Sequence, residues 1–297
     1  MLNIAGLRLP MLADRIITGD VYFLGSAASD AQDLPSHGSD PRKPFATIDY
    51  ALSKMTAGQG DYLIVLPGHT ESVTQSIDVA GIHIMGVVCG GLTPTFRGSS
   101  TADCISIDAD DVEFNGFRFG TPVVDAVTAN INIGADSAVV KNIYSAACSG
   151  DTTYNVVDVF SLDAEATNCL IDGVQLWNTT APVVSWIHFV GTSSNVTIKN
   201  FNAFGTVATG GIIDTAKVTF LHLENVNIAV TGTTIPAVSL GSNPEGVAIN
   251  CYFGSTSATI AAGCALGNLM RCKNVETTND VDNSTSAFLW PGIDASS

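Results

Sequence analysis

Basic residues are the scarcest resource in this chain of 297 residues: 12 Lys and Arg stand against 28 Asp and Glu, a formal net charge of −16. A surface so short of cations cannot track a phosphate backbone, which excludes nucleic acid as a partner. Charged residues of both signs total 13% and aromatics 7%, so there is little solvated helix surface to place. The seven cysteines, at 89, 104, 148, 169, 251, 264 and 272, show no CxxC or CxxxH spacing. That argues against a structural zinc site and a disulfide framework, and leaves them as small core hydrophobes of a protein made in a reducing compartment. No apolar run reaches transmembrane length, so no membrane is expected. The opening MLNIAGLRLPMLADR lacks a basic leader region and is broken by Arg8, Pro10, Asp14 and Arg15. It does not read as a signal peptide, and synthesis in a cytoplasm is expected.

What the chain has in quantity is apolar residues, 46%, with 28 Gly and much Thr, Val and Asn. This balance favours all-β over all-α. From Val79 onward one pattern recurs: an apolar-x-apolar run, a two-residue corner with Asn or Gly, and a second apolar-x-apolar run. It is seen in GIHIMGVVCG, DVEFNGFRFG, CLIDGVQLW and NVTIKNFNAF. The corners fall at Gly86, Gly116, Asn142, Gly173, Asn200, Asn225, Cys251 and Asn274, spaced 30, 26, 31, 27, 25, 26 and 23 apart. Periods in this range mark a solenoid, and alternation with period two rules out a helical repeat. A sharp bend between strands needs positive φ, which Gly and Asn tolerate best. Asn stacked on Asn also offers a side-chain hydrogen-bond ladder. A further short strand upstream of each corner, as in CISI, INI and WIHF, makes three strands per coil.

The stretch from Phe45 to Gly68, FATIDYALSKMTAGQGDYLIVLPG, predicts a short helix followed by a buried strand. Thr47 stands as N-cap, Ile48, Ala51, Leu52 and Met55 form one apolar stripe, and Gly58 ends the helix. This order resembles the opening of right-handed parallel β-helix proteins of the pectate-lyase-like superfamily, in which the helix covers the open end of the core. The resemblance implies a single right-handed parallel β-helix with three sheets, about eight to nine coils and an N-terminal capping helix. Residues 1–44 are expected as an arm and loop, 45–276 as cap and β-helix, and 277–297 as a tail.

Lyases of that superfamily use a basic proton abstractor, aspartate-held calcium and an arginine; its polygalacturonases use three close aspartates with His, Arg and Lys motifs. Neither set is found here: there is no RxxR, Arg-Ile-Lys, Gly-His-Gly or Asn-Thr-Asp. No catalytic residue and no cofactor are therefore assigned. The best carboxylate group is Asp108, Asp110 and Asp111, near Asp103, as a weak candidate metal site. Asp108 and Glu165 each sit eight residues before a corner, two coils apart, and the competing reading is a set of solvated turn residues. His83, His188 and His222 lie in strands as outward positions without metal spacing. Trp177 and Trp186 offer either a sugar-stacking platform or packing at an interface.

The apolar residues Leu2, Ile4, Leu7, Leu9 and Met11 precede the cap, and Phe288 and Trp290 follow the last coil, with no local core to join. They are candidates for an interface. In length and opening the chain resembles small stand-alone β-helix proteins of tailed phages, over roughly residues 38–275. The function this implies is a non-enzymatic virion component: a capsid decoration (cement) protein on the virion surface, made in the host cytoplasm. Its expected partners are itself, as a homotrimer, and the major capsid protein or another virion protein. The alternative is a tailspike-type or secreted polysaccharide lyase or glycoside hydrolase binding glycans along the β-helix.

Overall fold

The structure, a computed structural model, describes residues 2–4, 7–9, 19–145, 156–231, 235–240, 246–255, 268–270 and 273–276. At 2–4, 7–9, 178–182, 255, 268–270 and 273–276 the backbone alone is described. The candidates Met11, Phe288 and Trp290 and the tail 277–297 lie outside the described residues.

Strand pairing establishes a parallel β-helix with three sheets. The first sheet runs from Val21–Leu24 through Tyr62–Val65, His83–Gly86, Glu113–Asn115 and Val139–Lys141 onward to Asn268–Met270. The second begins at Thr70–Val73 and Thr95–Gly98 and runs to Lys273–Glu276. The third stacks Gln75–Ile77, Ile105–Ile107, Val127–Ile133 and Val156–Leu162 and ends, among the described residues, at Val238–Ser239. Two long strands, Leu170–Phe189 and Thr197–Asp214, each pass through all three sheets and pair over most of their length. Coils with all three sides are described from Tyr62–Ile77 to Leu221–Ser239; two further coils show their first two sides.

Most inward positions carry an aliphatic or aromatic side chain from one coil to the next. Ile105, Ile131, Phe160, Ile187 and Ile212 form one such column, all 0% exposed. Each contributes about 1.5–3 kcal/mol through burial, and stacking makes the column continuous. The helix covers the end of this core. It is shorter than expected, Ile48–Leu52, with the Tyr50 N–H donating to the Thr47 hydroxyl. Lys54 and Met55 donate three residues back, to Ala51 and Leu52, so the helix tightens and ends before Gly58. Gly58 instead holds a left-handed turn at φ 73° and donates to Ala80. Within residues 1–44, Val21–Leu24 adds a strand to the first sheet, and Phe23 donates to Gly38 and accepts from Phe45 through the backbone.

The corners stack as expected at Gly116, Asn142, Gly173, Asn200 and Asn225, all at positive φ. The N–H groups of Gly116, Asn142 and Asn225 donate to the carbonyls of Lys141, Asp172 and Ile249, each the residue before the next turn. Side chains bridge coils too: Asn142 donates to Asn115 at 2.9 Å, Asn200 to Asp172 at 2.7 Å and Asn225 to Asn200 at 3.3 Å. Three corners are corrected. Gly86 lies opposite Gly116 but outside the left-handed region, because its strand continues through it; a Cβ there would meet the Gly116 carbonyl. The left-handed residue of the next coil is Asn250, with buried Cys251 following it. Asn274 pairs with Phe253, three residues past that turn, and so belongs to the second sheet. The shorter final coil breaks the spacing that pointed to it.

A second left-handed corner, between the third and first sheets, went unpredicted. It stacks Gly81, Asp111, Ser137, Asn168, Asn195 and Phe220.

Candidate functional site

Two outer faces of the β-helix gather polar and aromatic side chains. On the second sheet, alternation turns Leu176, Ala203, Ile228 and Phe253 inward and their neighbours outward. Parallel register then aligns Arg118, Tyr144, Gln175, Asn202, Asn227 and Tyr252 in one row along the axis. A second row holds Trp177, Phe204, Ala229 and Gly254.

Between the rows lies a groove of about 400 Å³. The large side chains Tyr144, Trp177, Phe204 and Tyr252 rise around the short Ala229 and the amides. Trp177 is 57% exposed and Phe204 43%, their ring centroids 5.4 Å apart. Asn227 donates to Asn202 at 2.9 Å, which orients both amides while leaving one donor and acceptor surface toward the groove. Arg118 lies over Tyr144 at 5.6 Å, beyond the groove's end. Among the described residues no carboxylate, imidazole or ammonium lines the groove.

Of the two tryptophans named from sequence, Trp177 lines this groove and Trp186 is buried in the core. Tyr144, Gln175, Phe204, Asn202, Asn227 and Tyr252 were missed. The signal for them was present: counted from the true corners, the first row is every residue two positions on, and the second row every residue four positions on.

The outer face of the third sheet is acidic. Asp108 accepts from the hydroxyls of Ser76 and Ser106. Asp163, not Glu165, is its counterpart two coils away: both flank Gly134, whose missing side chain leaves a gap between them. Asn132 donates to Asp163 at 2.9 Å and to Ser106 at 3.4 Å. Asp158 is 3% exposed and accepts from Ser185 at 2.7 Å and from His188 Nδ1 at 2.8 Å. Burial first, then the charges of Asp163, Asp108 and Asp158, push the Asp103 carboxyl up to about 6.

Asp110 and Asp111, grouped with Asp108 from sequence, belong to the neighbouring turn. Asp110 accepts the Asp136 N–H and Asp111 is itself the left-handed residue. The structure therefore does not bring the three aspartates into one cluster, and among the described residues no three His, Cys, Asp or Glu side chains converge as a metal site. The strand histidines lie on outer faces beside carboxylates: His83 with Glu113, His188 with Asp158 and His222 with Glu224.

No protein-family model matches the chain, and no curated protein matches it. Among solved structures, the crystal structure of pectate lyase Pel9A is similar, with a TM-score of 0.45 and 10% sequence identity, over 90% of this chain and 79% of that one. At that identity no residue role passes between the two, and what stands for this chain is the parallel β-helix that its own strand pairing shows.

Proposed function

We propose that this protein is a non-catalytic glycan-binding β-helix whose working surface is the outer face of the second sheet. The observation that carries this reading is the groove edged by Tyr144, Trp177, Phe204 and Tyr252 and floored by the amides of Gln175, Asn202 and Asn227. Aromatic rings offer flat apolar faces to the C–H faces of sugar rings, and amides offer both donors and acceptors to hydroxyls. Among the described residues the groove carries no charge, in a chain of −16, so the ligand it suits is a neutral glycan. The rows run along the β-helix axis, which suits an extended polymer lying across several coils. Among the described residues no carboxylate or imidazole lines the groove, which favours binding over cleavage.

The test is titration of neutral and acidic polysaccharides against the protein and its Trp177→Ala and Phe204→Ala variants. Neutral glycan is expected to bind, at least tenfold more weakly to either variant, and to show no new reducing ends or unsaturated sugars. Failure to bind any neutral glycan, or binding indifferent to both substitutions, would overturn the proposal.

A second proposal concerns setting: a decoration protein on a tailed-phage virion, assembled as a homotrimer. It is favoured by the N-terminal hairpin, in which Leu2 stands opposite Leu9 and Ile4 opposite Leu7. Among the described residues this hairpin pairs with no other strand. An isolated hairpin is marginal in water and gains stability by docking.

A further inference from the structure

Cations are few in this chain, and several are matched by carboxylates: Arg42 pairs with Asp40, Lys141 with Glu113 and Lys199 with Glu224. Arg97 and Arg118 are exposed and form no ion pair among the described residues. Both stand on the outer face of the second sheet, on the cap side of the groove. Arg118 precedes Tyr144 in the first row, and Arg97 lies two residues after Thr95, which is in register with Arg118.

Both side chains lean one coil toward the groove. Arg118 carries its guanidinium over the Tyr144 ring, 5.6 Å from the centroid, close enough for the ring face to hold a cation. Arg97 crosses to Gly120, where an added Cβ would stand 3.2 Å from its Nε and 3.4 Å from its Cγ. Gly120 follows Arg118 by two residues, so the two positions share one face about 7 Å apart. Two like charges are thereby held side by side, with Tyr144 serving both as platform for one and as the first wall of the groove. Guanidiniums keep their charge at any working pH and present forked N–H donors that fit an oxyanion.

We propose that Arg97 and Arg118 form an anion subsite at the cap end of the groove, and that the glycan bound there is neutral along the groove and carries an acidic group, a carboxylate or a sulfate ester, at that end. The inference rests on the glycan reading of the groove and adds to it the ligand's direction and its charged end. From Tyr144 to Tyr252 the first row spans four coil steps, about 19 Å at the usual strand spacing. Over that length the lining offers rings and amides and, among the described residues, no cation. A glycan acidic on every unit would set its remaining anions against a chain of −16 with nothing in the groove to answer them. A single acidic end meets both arginines and leaves the neutral remainder to the rings.

The experiment is calorimetric titration of the full chain, at low salt and pH 7.5, with cellohexaose, xylohexaose and mannohexaose, each also bearing one carboxylate or one sulfate ester at either end. The readout is the affinity ratio of an acidic derivative to its neutral parent. A ratio of about ten is expected for one end of the chain, the worth of one charge-assisted hydrogen bond. It should fall to about one in Arg97→Gln/Arg118→Gln and persist in Lys54→Gln/Lys199→Gln, which removes equal charge elsewhere. Circular dichroism confirms that each variant is folded. Preference for the carboxylate or for the sulfate names the source; equal preference names the oxyanion as what is read. Trp177→Ala should weaken acidic and neutral chains alike and leave the ratio standing. A native ratio near one overturns the subsite and leaves the groove reading intact, as does a ratio lost equally in the lysine variant, which would mark general charge attraction. Binding of no hexasaccharide, acidic or neutral, overturns both. Acidic binding that needs both arginines but ignores Trp177→Ala would keep the anion site and fell the groove.

Discussion

Asn142, Asn200 and Asn225 each hold a left-handed turn and bridge to another coil through the side chain. Replacing Asn200 by Ala adds a left-handed penalty of about 1 kcal/mol to the loss of a hydrogen bond worth about as much. We expect Asn200→Ala to lower unfolding free energy in urea by about 2 kcal/mol, and Asn200→Gly by about half of that. Phe220 is the converse case, a bulky residue at φ 54° and 67% exposed. Phe220→Asn is expected to stabilise by about 1 kcal/mol in the same assay. Asp103 gives a pH signature. Its folded pKa of about 6 lies above the ordinary 3.8, so the native state holds a proton that the unfolded chain releases. Stability therefore falls as pH rises from about 4 to about 6 and levels off above. Asp103→Asn should flatten that segment and stabilise the protein at pH 7 by about 1 kcal/mol, after allowing for the half-exposed position of the carboxyl. The free thiols divide by burial: Cys89 is exposed, while burial raises Cys104 to about 12 and Cys169 to about 11. In a thiol-reagent assay of the native protein, Cys89 should react well before either of the other two.

At the scale of elements, the cap depends on His69, which is fully buried. Its Nδ1 accepts from the Ser26 N–H and its Nε2 meets Glu71, whose carboxylate accepts the Ile48 N–H at the helix start. His69→Ala leaves Ser26 without its partner and Glu71 without its anchor. We expect a loss of about 2–3 kcal/mol and faster proteolysis within residues 25–47; an unchanged cleavage pattern would show that the loop is held by other contacts. The repeat, the three sheets and the cap were legible in the sequence because each follows from alternation and corner chemistry. The second corner was not, since Asp111, Ser137 and Phe220 interrupt its Gly and Asn signal. The groove was half legible. Its rows fall at constant offsets from the corners, but Gln175, Asn202 and Asn227 look like ordinary surface amides until Trp177 and Phe204 stand beside them. The acidic face was hidden for another reason: Asp103, Asp163 and His188 come from three coils, and only stacking brings them together.

For the whole molecule, association works against a charge of −16 per chain. A homo-oligomer held by apolar contacts should therefore tighten at about 0.5 M salt, where charges are screened beyond a few ångströms. Light scattering on the full chain and on a truncation starting at Ile16 tests this. Trimer mass for the first and monomer mass for the second are expected; a full chain that stays monomeric at both salt levels would count against assembly through the hairpin. The stacking has one more consequence. Each coil adds one position to each row of the groove and to each inward column, whatever the length of its loops. The length of the groove is thereby tied to chain length in whole steps, like a ruler graduated in coils. Duplicating one coil, such as the segment from Thr197 to Leu221, would lengthen the groove by one mark without redrawing any other.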